Sequence, residues 1–358
     1  MASSNGSSLP VVDLAPFFVD KGGVARGRAT AAVREACLSS GFFHVVNHGV
    51  PRELMARALE LEALFFALPD EEKAKVRPAE GTPFPSGHAR QPAHSVDKNE
   101  LLLVLHPKLW LNLYPEEPAG FRRNEIGNIV NELRCKYSKS FGHITGGASG
   151  VPRQVHRVGA PHPGDSKRVH GPTTRLPRGV HRTFDFISAR HAFPATKEDN
   201  RGARPHQDVG CITFVLQDGV GGLEVLRSDG VWAPVEPIEG SIVVNIGDVV
   251  QVLSNGKFRS AMHRVVRKPA AHRYSLVFFF HLHDDKWVEP LPQFAGDVGE
   301  PPRYTGFKYG EYLQLRRKRT HPPSSHPENI VDITHYAIYL VKLTPFCCPE
   351  KLKQLLNF

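Results

Sequence analysis

Between Arg52 and Leu68 the apolar residues Leu54, Met55, Ala58, Leu61, Leu64, Phe65 and Leu68 recur every three or four positions. That spacing lines one face of an α-helix, and Pro69 ends it. Arg28 to Ser39 carries a second such stripe in Ala32, Val33, Ala36 and Cys37. The segment between them, Gly41-Phe-Phe-His-Val-Val-Asn-His-Gly-Val50, is β-branched and aromatic and closes on turn residues, which predicts a buried strand. Pro10 to Leu14 and Leu101 to Leu105 are shorter strand candidates. Pro115-Glu-Glu-Pro118 reads as the turn before a helix from about Phe121 to Tyr137.

Beyond residue 210 the texture changes. Cys211 to Leu216, Leu223 to Leu226, Val231 to Val235, Ser241 to Ile246, His263 to Val266 and Arg273 to His281 are short strand candidates. They are separated by turn signals such as Gln217-Asp-Gly219, Ser228-Asp-Gly230 and Ser254-Asn-Gly256. Such regular spacing predicts an antiparallel sandwich or barrel of jelly-roll type. The expected fold is therefore mostly β with flanking helices: a double-stranded β-helix (jelly-roll) core and a helix-rich N-terminal region.

Composition narrows the class. At 41% hydrophobic and 23% charged residues, the 358-residue chain is an ordinary globular sequence, and no apolar run approaches the roughly 18 residues of a membrane span. Residues 1–8 are polar and read as a disordered tail, so a soluble, cytoplasmic protein is expected. The five cysteines are odd in number and form no Cys-x-x-Cys, which points to reduced thiols. Of the net charge of +9, the stretch His143–Arg182 holds seven Lys/Arg and one acid, and it contains no aromatic residue on which a base could stack. Nucleic-acid binding is not expected, and residues 138–188 read as a disordered or mis-translated segment. Arg316-Arg-Lys-Arg319 reads as the solvated end of a helix.

The chemistry gathers in the second half. His206 and Asp208 lie two apart just before the first of these strands, so both side chains can point to one side. His263 follows much later, on a strand that a rolled sheet can bring opposite them. Two imidazoles and one carboxylate on one face suit non-haem Fe(II) and O2 chemistry. Arg273 and Ser275 repeat the two-residue period and form a fork for a carboxylate, and Phe279 on the same face would supply an apolar wall. The chain has 19 histidines, so a lone His-x-Asp carries little weight; His283-Asp-Asp285, with no later His that is followed by Arg-x-Ser, reads as a surface turn.

In these motifs the chain resembles the plant soluble 2-oxoglutarate- and Fe(II)-dependent dioxygenases, the group that includes flavonoid, gibberellin and aminocyclopropane-carboxylate oxidases. The resemblance is carried by Gly41 to Val50, Phe65 to Lys73, Pro205 to Thr213, Gly221 to Val225, Val244 to Asp248, Ser254 to Gly256, and His263-Arg-Val265 with Arg273-Tyr-Ser275. It implies His206, Asp208 and His263 as iron ligands and Arg273 with Ser275 as the anchor for the far carboxylate of 2-oxoglutarate. It implies O2 and a small-molecule substrate as partners, a monomer, and ascorbate as a further candidate cofactor. Phe193 stands where the family places a tyrosine near the cosubstrate, so with Phe279 it is a candidate pocket residue. Asn245 and Asp248 are expected to be structural, Asp248 as a helix N-cap. The variable substrate-pocket segments would be Pro83 to His94 and the stretch after Lys308, including Ser86, His88, Arg90, Gln91, Tyr309, Tyr312 and Leu313. The expected organisation is a dioxygenase region over 9–137, a core over 189–310, and a C-terminal helix and tail over 311–358. Two alternatives stay open: a member impaired by the 138–188 segment, and an ascorbate-dependent oxidase of the same fold.

Overall fold

Strands buried on both faces read as continuous apolar runs, and the centre of this molecule is built from three of them. The structure is a computed structural model that describes residues 9–19, 23–79, 86–91, 99–104, 112–118, 185–191, 201–269, 271–295, 300–318 and 331–338. The N-terminal region comprises β1 (Val11–Asp13), α1 (Ala15–Val19), α2 (Val24–Ser39), β2 (Phe42–Val46), α3 (Arg52–Ala67), α4 (Asp70–Ala74), β3 (Gly87–Arg90) and β4 (Asn99–Val104). Then follow β5 (Asp185–His191), β6 (Arg201–His206), β7 (Ile212–Gln217), β8 (Leu223–Leu226), β9 (Trp232–Pro234), β10 (Ile242–Ile246) and α5 (Asp248–Leu253). The chain continues through β11 (His263–Val266), β12 (Arg273–Phe280), β13 (Trp287–Val288), β14 (Phe307–Lys308), α6 (Tyr309–Lys318) and a 3-10 turn at Ile333–Tyr336.

Eight strands form one sheet in the order β1-β2-β10-β7-β12-β5-β4-β3, and four form a second in the order β6-β11-β8-β9. Alternation sorts each central strand of the large sheet into two faces. Ile212, Phe214 and Leu216 of β7, Ile242, Val244 and Ile246 of β10, and Leu276 and Phe278 of β12 pack in one cluster with Val33 and Ala36 of α2 and Leu61 and Phe65 of α3. Their neighbours Val215, Val243 and Val277 join a second cluster with Leu223, Val225 and Val265 of the small sheet. The large sheet is thus covered by helices on one side and by the small sheet on the other. Burial of Leu61 and Phe65, both fully enclosed, contributes about 1.5–3 kcal/mol each.

α3 ends where the sequence predicts, because Leu68 is already extended and Pro69 follows. Several strands escape the periodicity reading, β5 and β6 among them. β6, Arg-Gly-Ala-Arg-Pro-His, contains Gly and Pro and has little apolar character; it is tolerated because it lies at the edge of the small sheet. β5 begins at Asp185, upstream of the expected core boundary at 189, and pairs with both β12 and β4. The rest of 138–188, the expected helix at 121–137 and most of the tail lie outside the described residues. Asp248 is not the cap of α5: Gly247 occupies that position, and Asp248 is the first helical residue, with its carboxylate turned into the core.

Gly41 joins α2 to β2 in a left-handed conformation, φ 69°, and a Cβ there would lie 2.0 Å from the carbonyl oxygen of Arg259. Gly230 is also left-handed, φ 81°, but has open space around it. Gly230→Ala should therefore cost only the conformational term, about 1 kcal/mol, whereas Gly41→Ala should cost at least about 2 kcal/mol more. Urea denaturation of the two variants checks this, and equal losses would contradict the packing at Gly41.

Candidate metal centre

The last residue of β6 and the first of β11 are His206 and His263, direct partners in the antiparallel register. Their rings lie 4.2 Å apart between centroids. Asp208 follows on the turn that carries the chain from the small sheet into β7, and its carbonyl accepts from the Asp248 backbone N–H at 2.8 Å. Its carboxylate reaches back between the two rings, with Oδ1 3.7 Å from Nε2 of His206 and 3.7 Å from Nε2 of His263. One donor atom from each residue lies within 4.8 Å of the others, and this trio is the one such group of three among the described residues.

Hydrogen bonds leave the right atoms available. Nδ1 of His206 meets the carbonyl of Arg204 at 2.8 Å, and Nδ1 of His263 meets that of Ala261 at 3.1 Å. A carbonyl only accepts, so each Nδ1 carries a proton and each Nε2 is the ring nitrogen turned toward the carboxylate. Oδ2 of Asp208 accepts from the Thr213 hydroxyl and, at 2.7 Å, from Nδ2 of Asn245, which leaves Oδ1 as the outward donor. The part of its ring that is enclosed, and then the neighbouring His263, pull His206 below the usual imidazole range. Burial works to raise Asp208, but the two imidazoles and the hydrogen bonds from Thr213 and Asn245 outweigh it and the carboxyl lies below its ordinary value. Asp208 and His263 are buried, whereas the His206 side chain is 40% exposed, which makes it the rim of the site. Two imidazoles, one single-oxygen carboxylate and one open side fit a ferrous ion.

The floor beneath this turn is backbone on backbone. A Cβ on Gly247 would lie 2.3 Å from the carbonyl oxygen of Gly210 and 2.9 Å from that of Asp208, so only glycine permits the approach. Gly247 N–H also donates to the Cys211 carbonyl at 2.9 Å.

Arg273 and Ser275 project from β12 on the face that Val277 turns toward the small sheet, and both are buried. Nη1 of Arg273 donates to Oγ of Ser275 at 2.8 Å and Nη2 donates to Oε1 of Gln217 at 3.0 Å. Burial lowers the guanidinium to about 10, with Asp218 and Glu62 opposing, so it remains cationic at neutral pH. Gln217 was legible only as the start of a turn, yet it ends β7 directly opposite Ser275. Counting by two from Thr213 through Val215 reaches it, a signal the composition of the turn hides. Asn245, expected to be structural, also belongs to the site through its bond to Asp208.

Phe279 lies on the same face of β12, its ring stacked 5.8 Å from that of His281. Phe193 lies outside the described residues. The surface reading of His283 and Asp285 agrees with an exposed pair 2.7 Å apart. The expected pocket segments fare differently. Ser86, His88, Tyr309, Tyr312 and Leu313 are buried, whereas Arg90 is exposed and paired with Asp70 and Glu100.

Comparison with known proteins agrees with this geometry. Residues 183–282 match the 2OG-Fe(II) oxygenase superfamily, and residues 9–118 match the family described as non-haem dioxygenase in morphine synthesis N-terminal. Gibberellin 20 oxidase 5 of Arabidopsis thaliana is 31% identical over 317 residues, covering 87% of this chain and 78% of that protein. A 1-aminocyclopropane-1-carboxylate oxidase of Musa acuminata is 28% identical over 323 residues, covering 88% and 96%. Among solved structures, a rice dioxygenase for auxin oxidation superposes with a TM-score of 0.66 at 25% identity, covering 92% of this chain and all of that one. The fold of a full-length Neurospora crassa protein solved in complex with alpha-KG and thymine is also shared, with a TM-score of 0.72 at 21% identity and 89% and 99% coverage. With the matched regions spanning both the helical N-terminal region and the strands that carry the His-Asp-His trio, this chain belongs to the 2OG-Fe(II) oxygenase superfamily and is an oxidoreductase.

Proposed function

We propose that the protein is an Fe(II)- and 2-oxoglutarate-dependent dioxygenase that hydroxylates or desaturates a small organic metabolite or hormone, releasing succinate and CO2. The two facing sheets then form the double-stranded β-helix of a jelly roll. His206, Asp208 and His263 hold the iron, and Arg273, Ser275 and Gln217 receive the far carboxylate of 2-oxoglutarate. When bound, iron supplies O2 activation coupled to oxidative decarboxylation of the cosubstrate. The observation that carries the reading is Oδ1 of Asp208 poised 3.7 Å from both Nε2 atoms, in a roll that also encloses a buried cationic fork.

The protein's own part is placement and exclusion of water. Thr213, beneath the proposed ligand Asp208, and Gln217, beside Arg273, are separated along β7 by about 13 Å of strand. A five-carbon diacid and the reach of an arginine side chain fill that span together. Arg273, held in plane by Ser275 and Gln217, presents a preformed fork, so little side-chain entropy is lost on binding. Phe279 and Val277 keep the inner face apolar, and the exposed edge of His206 marks the side from which substrate enters. The partners are O2 and a small-molecule substrate; the excess basic charge lies in residues 143–182, away from these groups in the sequence.

Purified protein should form succinate from 2-oxoglutarate only with Fe(II) present, and His206→Ala or Asp208→Ala should abolish it. Succinate formation unchanged in both variants would remove the metal assignment. A screen of candidate metabolites for those that stimulate this turnover identifies the substrate. Arg273→Leu should raise the KM for 2-oxoglutarate at least tenfold, because a charge-assisted hydrogen bond is worth about 1.5–3 kcal/mol. Asn245→Ala, which takes one of two donors from Oδ2 of Asp208, should weaken Fe(II) binding about 10–100-fold in an anaerobic titration.

A further inference from the structure

The turn that carries His206 and Asp208 is poorly secured by its own sheet. β6 is an edge strand, Pro205 has no N–H to give, and the pairing of β6 with β11 is irregular immediately after the His206–His263 rung. Something else must hold the turn in place. Gln207, the residue between the two proposed ligands, is gripped at both its ends. Its carbonyl accepts from Nη2 of Arg316 at 2.6 Å, and its Nε2 donates to the carbonyl of Ser260. Ser260 lies three residues before His263, so the Gln207 side chain ties the two halves of the trio together.

Both grips lead to α6. The Ser260 hydroxyl donates to Oδ1 of Asp248 at 2.7 Å, and Oδ2 of Asp248 accepts from the Tyr312 hydroxyl at 2.6 Å. Tyr312 and Arg316 are one turn apart on α6, on a common face. The second arm of Arg316, Nη1, donates to the Val331 carbonyl at 3.1 Å, which braces the guanidinium from behind. Asp248 N–H closes the circuit on the Asp208 carbonyl. Arg316 is therefore not part of a solvated helix end.

We propose that Arg316 and Tyr312 are positioning residues for the metal centre, and that α6 is a strap fixing the spacing of His206, Asp208 and His263. Neither side chain touches a donor atom. Arg316 acts through the Gln207 main chain, and Tyr312 acts through Asp248 and Ser260. A fork braced on two carbonyls fixes direction as well as distance, which a lysine cannot reproduce. The inference rests on the reading that this trio binds Fe(II).

The test is anaerobic titration of the full chain with Fe(II), with Co(II) as a second probe whose visible absorption reports ligand geometry. Thermal midpoints are measured without metal. Arg316→Met should weaken Fe(II) binding about 10–100-fold and change the Co(II) spectrum, while the metal-free midpoint stays near that of the unaltered protein. Arg316→Lys should recover part of the affinity, Tyr312→Phe should show a smaller loss, and Glu311→Gln, exposed on the same helix, should show none. Unaltered affinity and spectrum in Arg316→Met overturn the proposal. So does a loss that only follows a fallen midpoint and is equal in Arg316→Lys, which marks a purely structural role. Should Arg316→Met fail to fold, Tyr312→Phe decides: a weakened Fe(II) affinity at an unchanged midpoint supports the strap, and unchanged affinity overturns it. If the unaltered protein binds Fe(II) no better than His206→Ala, the ligand assignment itself falls and takes the strap with it.

Discussion

The arrangement depends on the strict two-residue alternation of β7, β10 and β12. One face of these strands is sealed beneath α2 and α3, and the other looks across to the small sheet. Thr213, Gln217, Asn245, Arg273 and Ser275 all fall on the second face, each next in sequence to a residue whose side chain turns to the first. A slip of one residue in register would drive the polar set into the helix-covered core and carry the hydrophobes into the space between the sheets. Folding stability and the placement of the polar groups are therefore one constraint.

Much of this could be read from the chain. α3 follows from its apolar period and its terminal proline, and β7, β10 and β12 from their apolar runs between turns. His206, Asp208, Arg273 and Ser275 are visible because each pair obeys the two-residue rule locally. Long-range pairing was less legible. Gln217 sits inside a turn signal, and only its register with Ser275 brings it to Arg273. β6 hides behind Gly202 and Pro205, since an edge strand that ends in a turn needs no apolar alternation. Asp248 looked like a helix cap because Asp is common there; its actual partners, Ser260 and Tyr312, lie far along the chain and no local pattern announces them. Arg316 belongs to a basic run, and its bond to the Gln207 carbonyl is invisible without the tertiary fold.

The polar interior is economical in its hydrogen bonding. Asp208 divides its carboxylate, one oxygen held by Thr213 and Asn245 and the other turned to the imidazoles. Arg273 likewise gives one arm to Ser275 and the other to Gln217. In both cases a buried charge is fixed in direction by hydrogen bonds with neutral groups, and around Arg273 the carboxylates of Asp218 and Glu62 add to the field that keeps it cationic.

Gly247 sets a boundary on how such a molecule can change. Where its Cα meets the carbonyls of Asp208 and Gly210, two main chains touch with no side chain between them. No exchange of side chains at that contact can lower or tilt the platform under Asp208. Change in this region is thereby confined to the side chains that flank the contact, and the base remains common ground for every variant built on this backbone.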